Sequence, residues 1–357
     1  MNHAAVSPIA LPVVEAVNEF LFLRSQTEIE NYKDYLKLIS DMKTGIGELI
    51  NCGPDRIAFN DNTSNGLNIL AQGLSWKPGD RIILNDLEFP SNVYPFLNLK
   101  TYGVEIDFVQ SKNGAVLFED IEKALTPKTK LLSISYVQFL TGYRADLERI
   151  GELCRQKGII FCVDSIQGLG AVTLDVQKCK IDFIANGCQK WLMSLEGLGF
   201  IYLSEELQER INQKYVGWTS VTSSWNLLDY KLNLKKNADR FQNGTMSAVG
   251  IISLNASLNF LRLFGYNEIE NVILNNAEYF LNSLNEIGIA PILTNIDRQN
   301  LSGIVSFKSD NSQIIFESLL KENIVGAVRQ GIVRFSPHFY NTIDEINKTI
   351  YCLKNIQ

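Results

Sequence analysis

From about residue 20 to residue 240 the chain alternates short apolar runs with helix-patterned segments, and that alternation limits the fold more than any other feature. Strand candidates lie at 56–59, 81–84, 104–109, 131–137, 159–163, 182–185 and 200–203. Several are continuous runs of Ile, Val, Leu and Phe without polar alternation, the pattern of strands buried on both faces. Between two of them, residues 146–157 read as an amphipathic helix. Asp146 is placed to cap its N-terminus, Leu147, Ile150 and Leu153 fall inward, Glu148 and Glu152 fall outward, and Gly158 ends it. The alternation predicts an α/β fold with a mostly parallel seven-stranded sheet. Ligands of such sheets bind beyond the C-terminal strand ends, which directs the search to 85–89, 138–142, 164–167 and 186–190.

After about residue 245 the pattern changes. Residues 247–264 form a long helical pattern ended by Gly265, followed by short strands at 303–307 and 332–335 and two more helices. Thr342 and Glu345 stand in capping-box spacing at the start of the last helix. The expectation is a large domain, 15–245, and a smaller α+β domain built from 1–14 and 246–357; a chain of 357 residues is long enough for both.

Composition removes several functions. Lys and Arg number 33 against 39 Asp and Glu, a net charge of -6, so there is no basic surplus for nucleic acid. No apolar run approaches the roughly 20 residues of a membrane span. The first fourteen residues lack the features of a signal peptide, and the six cysteines are scattered without a C-x-x-C pair. Both observations predict a cytoplasmic protein with reduced thiols. With only His3 and His338, a His-rich metal site is excluded, and no metal ligand set is assigned. Neither a G-x-S-x-G elbow nor a phosphate-binding P-loop occurs. Gly168-Leu169-Gly170 begins a dinucleotide fingerprint, but Thr173 stands where its third glycine belongs, which disfavours a nicotinamide-dependent oxidoreductase. A large enzyme without these tools borrows a cofactor for its reactive step.

Two charged residues suggest which one. Asp164 follows the apolar run 159–163, and Lys190 follows the run 182–185 by a few residues. A lysine and an acid at neighbouring strand ends suit pyridoxal 5'-phosphate (PLP), the lysine binding it covalently and the acid facing its ring nitrogen. Taken alone, the same pair is equally an ion pair. Thr63 and Ser64 stand at the start of the helical pattern 67–74, where hydroxyls and free N–H groups either cap the helix or cradle a phosphate. Phe89 could stack on a ring or fill the core. Arg334 lies inside the apolar run Ile332-Val333-Arg334-Phe335 and needs an anionic partner, a substrate carboxylate or a structural carboxylate.

At these residues the sequence resembles the class V aminotransferase and cysteine desulfurase-like group of fold-type I PLP enzymes. The pieces that carry the resemblance are Val163-Asp164-Ser165-Ile166-Gln167-Gly168, Gly187-Cys188-Gln189-Lys190-Trp191-Leu192, Gly197-Leu198-Gly199 and the stretch from Arg334 to Thr342, all in the family's order. It implies that Lys190 forms the imine with PLP and moves the proton, and that Asp164 keeps the ring nitrogen protonated. It implies that Gln167 bonds the ring hydroxyl, that Phe89 takes the place of the stacking histidine, and that Gln138 borders the cofactor. Thr63, Ser64 and Gln189 would contact the phosphate. Thr245 would reach the phosphate of a neighbouring subunit, which implies a homodimer with shared sites. Arg334 would hold the carboxylate of a small amino-acid substrate, with His3 and Trp218 near the substrate.

The departures bear on the reaction. Cysteine desulfurases carry a nucleophilic cysteine on a loop shortly before the carboxylate arginine. Here residues 325–331 are short and contain none. Transamination and C–S or β-elimination lyase activity both follow from the remaining set. Desulfurase-like chemistry, epimerisation or a non-catalytic protein keeping the fold are the alternatives, and a scaffold has no need of Lys190, Asp164, Gln167 and Arg334 together.

Overall fold

The computed structural model describes residues 1–26 and 32–356. The large sheet is formed by β1 (Ile57–Asn60), β2 (Arg81–Asn85), β3 (Glu105–Val109), β4 (Thr129–Ser135), β5 (Ile160–Asp164), β6 (Phe183–Gly187) and β7 (Gly199–Leu203). Their order across the sheet is β1-β7-β6-β5-β4-β2-β3. The sheet is parallel except for β7, which runs antiparallel to both β1 and β6. Every residue of β5, β6 and β7 is buried, as the unbroken apolar runs predicted. Burying a Val, Leu, Ile or Phe side chain contributes roughly 1.5–3 kcal/mol, so these central strands anchor the molecule. β3 lies at the edge, where Glu105 and Phe108 meet solvent.

Helix Leu147–Lys157 has the predicted ends: Asp146 accepts from the Arg149 N–H, and Gly158 adopts a left-handed φ of 67°. The helix Thr63–Gly73 is capped differently from either sequence alternative. Its cap is Asn62, whose side chain accepts from the Asn65 N–H, and the hydroxyls of Thr63 and Ser64 are left for other work.

A second sheet holds β8 (Val305–Lys308), β9 (Ala327–Arg329) and β10 (Ile332–Phe335) in the order β8-β10-β9. β9 is absent from the sequence expectations because it is three residues long and its pattern is set by pairing with β10. The helix count after the helix Ala248–Arg262 is three, where two were expected. The extra one, Tyr266–Glu286, follows directly after Gly265, and its many Asn and Glu residues mask a buried stripe of Ile269, Ile273, Ala277, Phe280 and Leu284. Thr342 and Glu345 form the expected capping box. No single helix among the described residues is long and apolar enough to cross a membrane.

The N-terminal segment threads onto the second sheet. Asn2 pairs with Ser336, and the Met1 carbonyl accepts from the Ser336 N–H. It also touches the first sheet's loops, since the Ser7 N–H donates to the Gln189 carbonyl. Residues 1–7 therefore run between β10 and the segment that carries Lys190.

Candidate active site

β5 and β6 pair in parallel, so both end at the same edge of the sheet. Asp164 is the last residue of β5, and Lys190 stands three residues past β6. Asp164 is buried, and its carboxylate accepts the Ile166 N–H at 3.0 Å. Burial raises its proton affinity, the Ile166 N–H opposes that, Glu88 adds to it and Lys190 opposes it, and the pKa rises to about 7. Lys190 responds in the opposite direction. Desolvation lowers its pKa to about 8, with Asp164 raising it and Arg334 lowering it. A lysine in this range loses its proton near neutrality, as a nucleophilic amine must. Its Nζ lies 5.6 Å from the centre of the Phe89 ring.

Arg334 comes from the second sheet. It is buried in β10, and one guanidinium nitrogen donates to the Phe139 carbonyl at 2.6 Å. Its Nε has no partner. Among the described residues no carboxylate pairs with it, although fifteen other ion pairs occur. Burial is the main cause that lowers its pKa to about 10, with Arg329 adding to it. The structural salt bridge that the sequence left open is therefore missing, and a buried cation waits for an anion.

The phosphate candidates converge elsewhere on the same edge. Thr63 is buried at the first turn of its helix, with an unpartnered hydroxyl. Gly187, at the end of β6, lets the backbone pass close to two polar side chains. A Cβ there would stand 2.8 Å from Gln189 Oε1 and 3.2 Å from Thr63 Oγ1. Ser64 is turned aside and donates to the Ser91 hydroxyl at 2.8 Å.

The remaining expectations fare unevenly. The Gln167 amide is already engaged: its nitrogen donates to the Ala4 carbonyl at 2.9 Å, and its oxygen accepts from the Trp191 indole at 3.1 Å. Gln138 is fully buried with an unpartnered Oε1. Phe89 is half-exposed and edge-on to Phe139, with ring centres 5.2 Å apart. His3 does not offer itself to a substrate. One ring nitrogen meets the Ser336 carbonyl at 2.7 Å, the other the Tyr340 hydroxyl, and the ring packs beside His338 and Trp191. Burial is the main cause that lowers its pKa to about 4. Trp218 and Thr245 have other neighbours within the chain. Trp218 packs on Trp225 at 5.5 Å, and Thr245 lines a cavity of about 660 Å³ with Asn60, Asp61 and Asn243.

Glu88 is a central residue of the site that sequence reasoning passed over. Its carboxylate is buried and accepts from Asn85, Asn92, Ser135 and Gln138. The available signal was the row of polar residues Asn85, Glu88 and Asn92 directly after an apolar strand.

No cysteine stands in for a nucleophile. β9 and β10 form a tight hairpin whose turn, Gln330 and Gly331, has φ of 51° and 79°. Two left-handed residues close a two-residue turn and leave no projecting loop. Cys188, two residues before Lys190, is fully buried, and burial drives its thiol pKa upward.

Comparison with known proteins agrees with this geometry. The family model described as aminotransferase class-V matches residues 1–348. A protein of Methanothermobacter thermautotrophicus named "Probable cysteine desulfurase" is 27% identical over 97% of this chain and 91% of its own length. "Uncharacterized aminotransferase YcbU" of Bacillus subtilis is 25% identical over 96% of this chain and 90% of its own. Among solved structures, the apo cysteine desulfurase of Thermococcus onnurineus NA1 superposes with a TM-score of 0.90 at 23% identity, covering 99% of this chain and 93% of that one. The cystine C-S lyase C-DES, in complex with its product cysteine persulfide, superposes with a TM-score of 0.89 at 24% identity, covering 99% and 96%. At these identities the structures show a common fold. The close backbone approach at Gly187, the unpartnered Thr63 hydroxyl and the lysine–aspartate pair fit PLP. The chain belongs to the class V aminotransferase family of PLP-dependent enzymes.

Proposed function

We propose that this enzyme removes a sulfur leaving group from the β-carbon of a small amino acid, without an enzyme thiol, using PLP held by Lys190. The observation that carries the amino-acid part is Arg334, a buried guanidinium near Lys190 with no carboxylate of its own. PLP, when bound, withdraws electrons from the substrate α-carbon and so makes its proton removable. Lys190 takes that proton at Nζ, which its lowered pKa suits it to do. Asp164 faces the ring nitrogen as the counter-charge. The first turn of the helix Thr63–Gly73, with the Thr63 hydroxyl and the Gln189 amide, binds the phosphate. Arg334 grips the α-carboxylate with two parallel hydrogen bonds.

The sulfur leaving group follows from what the site lacks. Phe89 can stack but cannot give a proton, so no acid beyond the protonated Lys190 assists departure, which favours a group that leaves as a stable anion. A thiolate or persulfide anion does so near neutrality, whereas a hydroxide does not. With no cysteine in the β9–β10 hairpin the sulfur leaves with its own carrier rather than passing to the enzyme. C-DES, named a cystine C-S lyase, supports this reading through the shared fold.

A transaminase is the second reading, favoured by the same Phe89, because transamination needs no leaving-group acid and YcbU carries that name. Supplying purified PLP-loaded protein with cystine, cysteine and other amino acids separates the two. Pyruvate with a sulfur product supports the lyase. Exchange that depends on an added 2-oxo acid, without sulfur release, supports the transaminase and overturns the lyase.

We further propose that the chain works as a homodimer in the cytosol, with a large part, 15–245, and a small part, 1–14 and 246–357. The exposed position of Thr245 on an open cavity supports sharing of sites between subunits. The threading of Met1 and Asn2 onto Ser336 supports the grouping of the two ends of the chain.

A further inference from the structure

Five hydrogen bonds end on the carboxylate of Glu88. Oε1 accepts from Asn85 Nδ2 at 2.5 Å, from the Ser135 N–H at 2.8 Å and from Gln138 Nε2 at 3.1 Å. Oε2 accepts from Asn92 Nδ2 at 2.9 Å and from the Ser135 hydroxyl at 2.5 Å. Every partner is a donor, which is the arrangement a buried carboxylate needs and a neutral acid would not satisfy. Ser135 ends β4 and stands in register opposite Asp164 on β5, so the cluster lies beside the cofactor edge of the sheet.

A purely structural carboxylate would satisfy its neighbours and leave nothing over. Here one neighbour is left half-used. Gln138 is fully buried, its amide nitrogen is spent on Glu88, and its Oε1 has no partner. An unsatisfied buried amide oxygen costs about 1–3 kcal/mol. Rotating the amide would not help, because the oxygen would then face the Glu88 carboxylate. Glu88 thus fixes the amide with its oxygen outward, as an acceptor awaiting a donor. The neighbouring Phe139 gives its carbonyl to Arg334 and its ring to Phe89, which ties Gln138 to the residues around Lys190.

We propose that Glu88 is a positioning residue of the active site, which locks Gln138 so that its Oε1 accepts a hydrogen bond from a hydroxyl or amine of the bound PLP and substrate. This rests on the PLP reading of the site. Glu88 also bears on Asp164 directly, since after burial it is the neighbouring charge that raises the Asp164 pKa, while Lys190, itself influenced by Arg334, lowers it. The two routes are separable. An effect through Gln138 disappears when Gln138 has no amide, and an effect through charge does not.

The test uses the PLP-loaded protein and reads cofactor affinity and the pH midpoint of the bound cofactor's absorption. Glu88→Gln keeps the shape of the side chain but offers an amide that accepts Gln138 in either orientation. It should weaken PLP binding about tenfold, the worth of one hydrogen bond, and move the absorption midpoint. Gln138→Leu should do the same. The double variant should match Gln138→Leu alone, because the two residues act as one unit. Additive effects would overturn the proposal in favour of direct charge action. An unmoved midpoint and affinity in Glu88→Gln, with only a lower melting temperature, would reduce Glu88 to a structural role. If Glu88→Gln fails to fold, Gln138→Leu still decides, since normal PLP affinity and an unmoved midpoint there remove the acceptor that Glu88 is said to position. Wild-type protein that binds no PLP would overturn the cofactor reading along with this one. Wild-type protein that binds PLP through Lys190 while both single variants behave normally would overturn this one alone.

Discussion

Arg334 on β10 donates to the carbonyl of Phe139, in the loop after β4, at 2.6 Å. Together with the Ser306 hydroxyl on β8, which donates to the Leu140 carbonyl at 2.8 Å, this bond joins the small sheet to the edge of the large one where Lys190 and Asp164 lie, and it leaves the Nε of a buried guanidinium without a partner. Arg334→Lys keeps a positive charge but loses the planar fork. It should weaken amino-acid binding by about 1.5–3 kcal/mol, the scale of a charge-assisted hydrogen bond. The melting temperature should change little, because no ion pair is broken. Spectral titration with amino acids, run beside a thermal melt, checks both. Lost stability with intact binding would assign Arg334 to structure.

Asp164→Asn should keep the fold, since the asparagine oxygen still accepts the Ile166 N–H. Turnover should fall on the order of a hundredfold or more, as expected when a preorganised charge is removed. The same variant carries a pH signature. The folded state raises the Asp164 pKa from 3.8 to about 7, so between those values the folded protein holds a proton that the unfolded chain has released. Stability from this group is present below the unfolded value and declines as pH rises through the folded one. Denaturant midpoints of the cofactor-free protein should therefore fall with rising pH in the wild type relative to Asp164→Asn. Parallel pH profiles of the two proteins would contradict the assignment.

Gly187→Ala crowds the close-packed space beside Thr63. The new methyl would meet Gln189 Oε1 and Ile166 Cδ1 at 2.8 Å, so those side chains must shift. PLP affinity should drop by at least about tenfold through the loss of one or more phosphate contacts. Equilibrium dialysis with PLP measures it, and unchanged affinity would move the phosphate site elsewhere.

Thr245 is exposed, and the shared-site proposal makes it serve a partner. Lys190→Ala and Thr245→Ala chains, mixed as heterodimers, should then recover normal PLP affinity at one site per dimer, with both lesions collected in the other. A monomer by ultracentrifugation, or no recovery in heterodimers of proven composition, would remove this arrangement.

How much of this was legible in the residues depends on what kind of contact defines each feature. The central strands β5, β6 and β7 declare themselves because burial on both faces demands apolar runs, as in Ile160-Phe161-Cys162-Val163. Asp146, Gly158 and the Thr342–Glu345 box are local devices, complete within one turn of chain. β9 and the capping role of Asn62 were missed, the first because three residues carry no period, the second because Asn62, Thr63 and Ser64 are all good caps. The Glu88 cluster depends on Ser135 and Gln138, 47 and 50 positions away, and no local pattern encodes such a pairing. The position of His3 was also beyond reach, since it is set by contacts with rings at the other end of the chain.

The central claim is that Lys190 carries the cofactor, and borohydride reduction followed by peptide mass spectrometry tests it most directly. Purified protein supplied with PLP should be yellow, and reduction should fix one cofactor to the peptide containing Gln189-Lys190-Trp191. The Lys190→Ala protein should carry no reducible label. A stable label on any other lysine, or none on Lys190 at saturating PLP, would contradict the account.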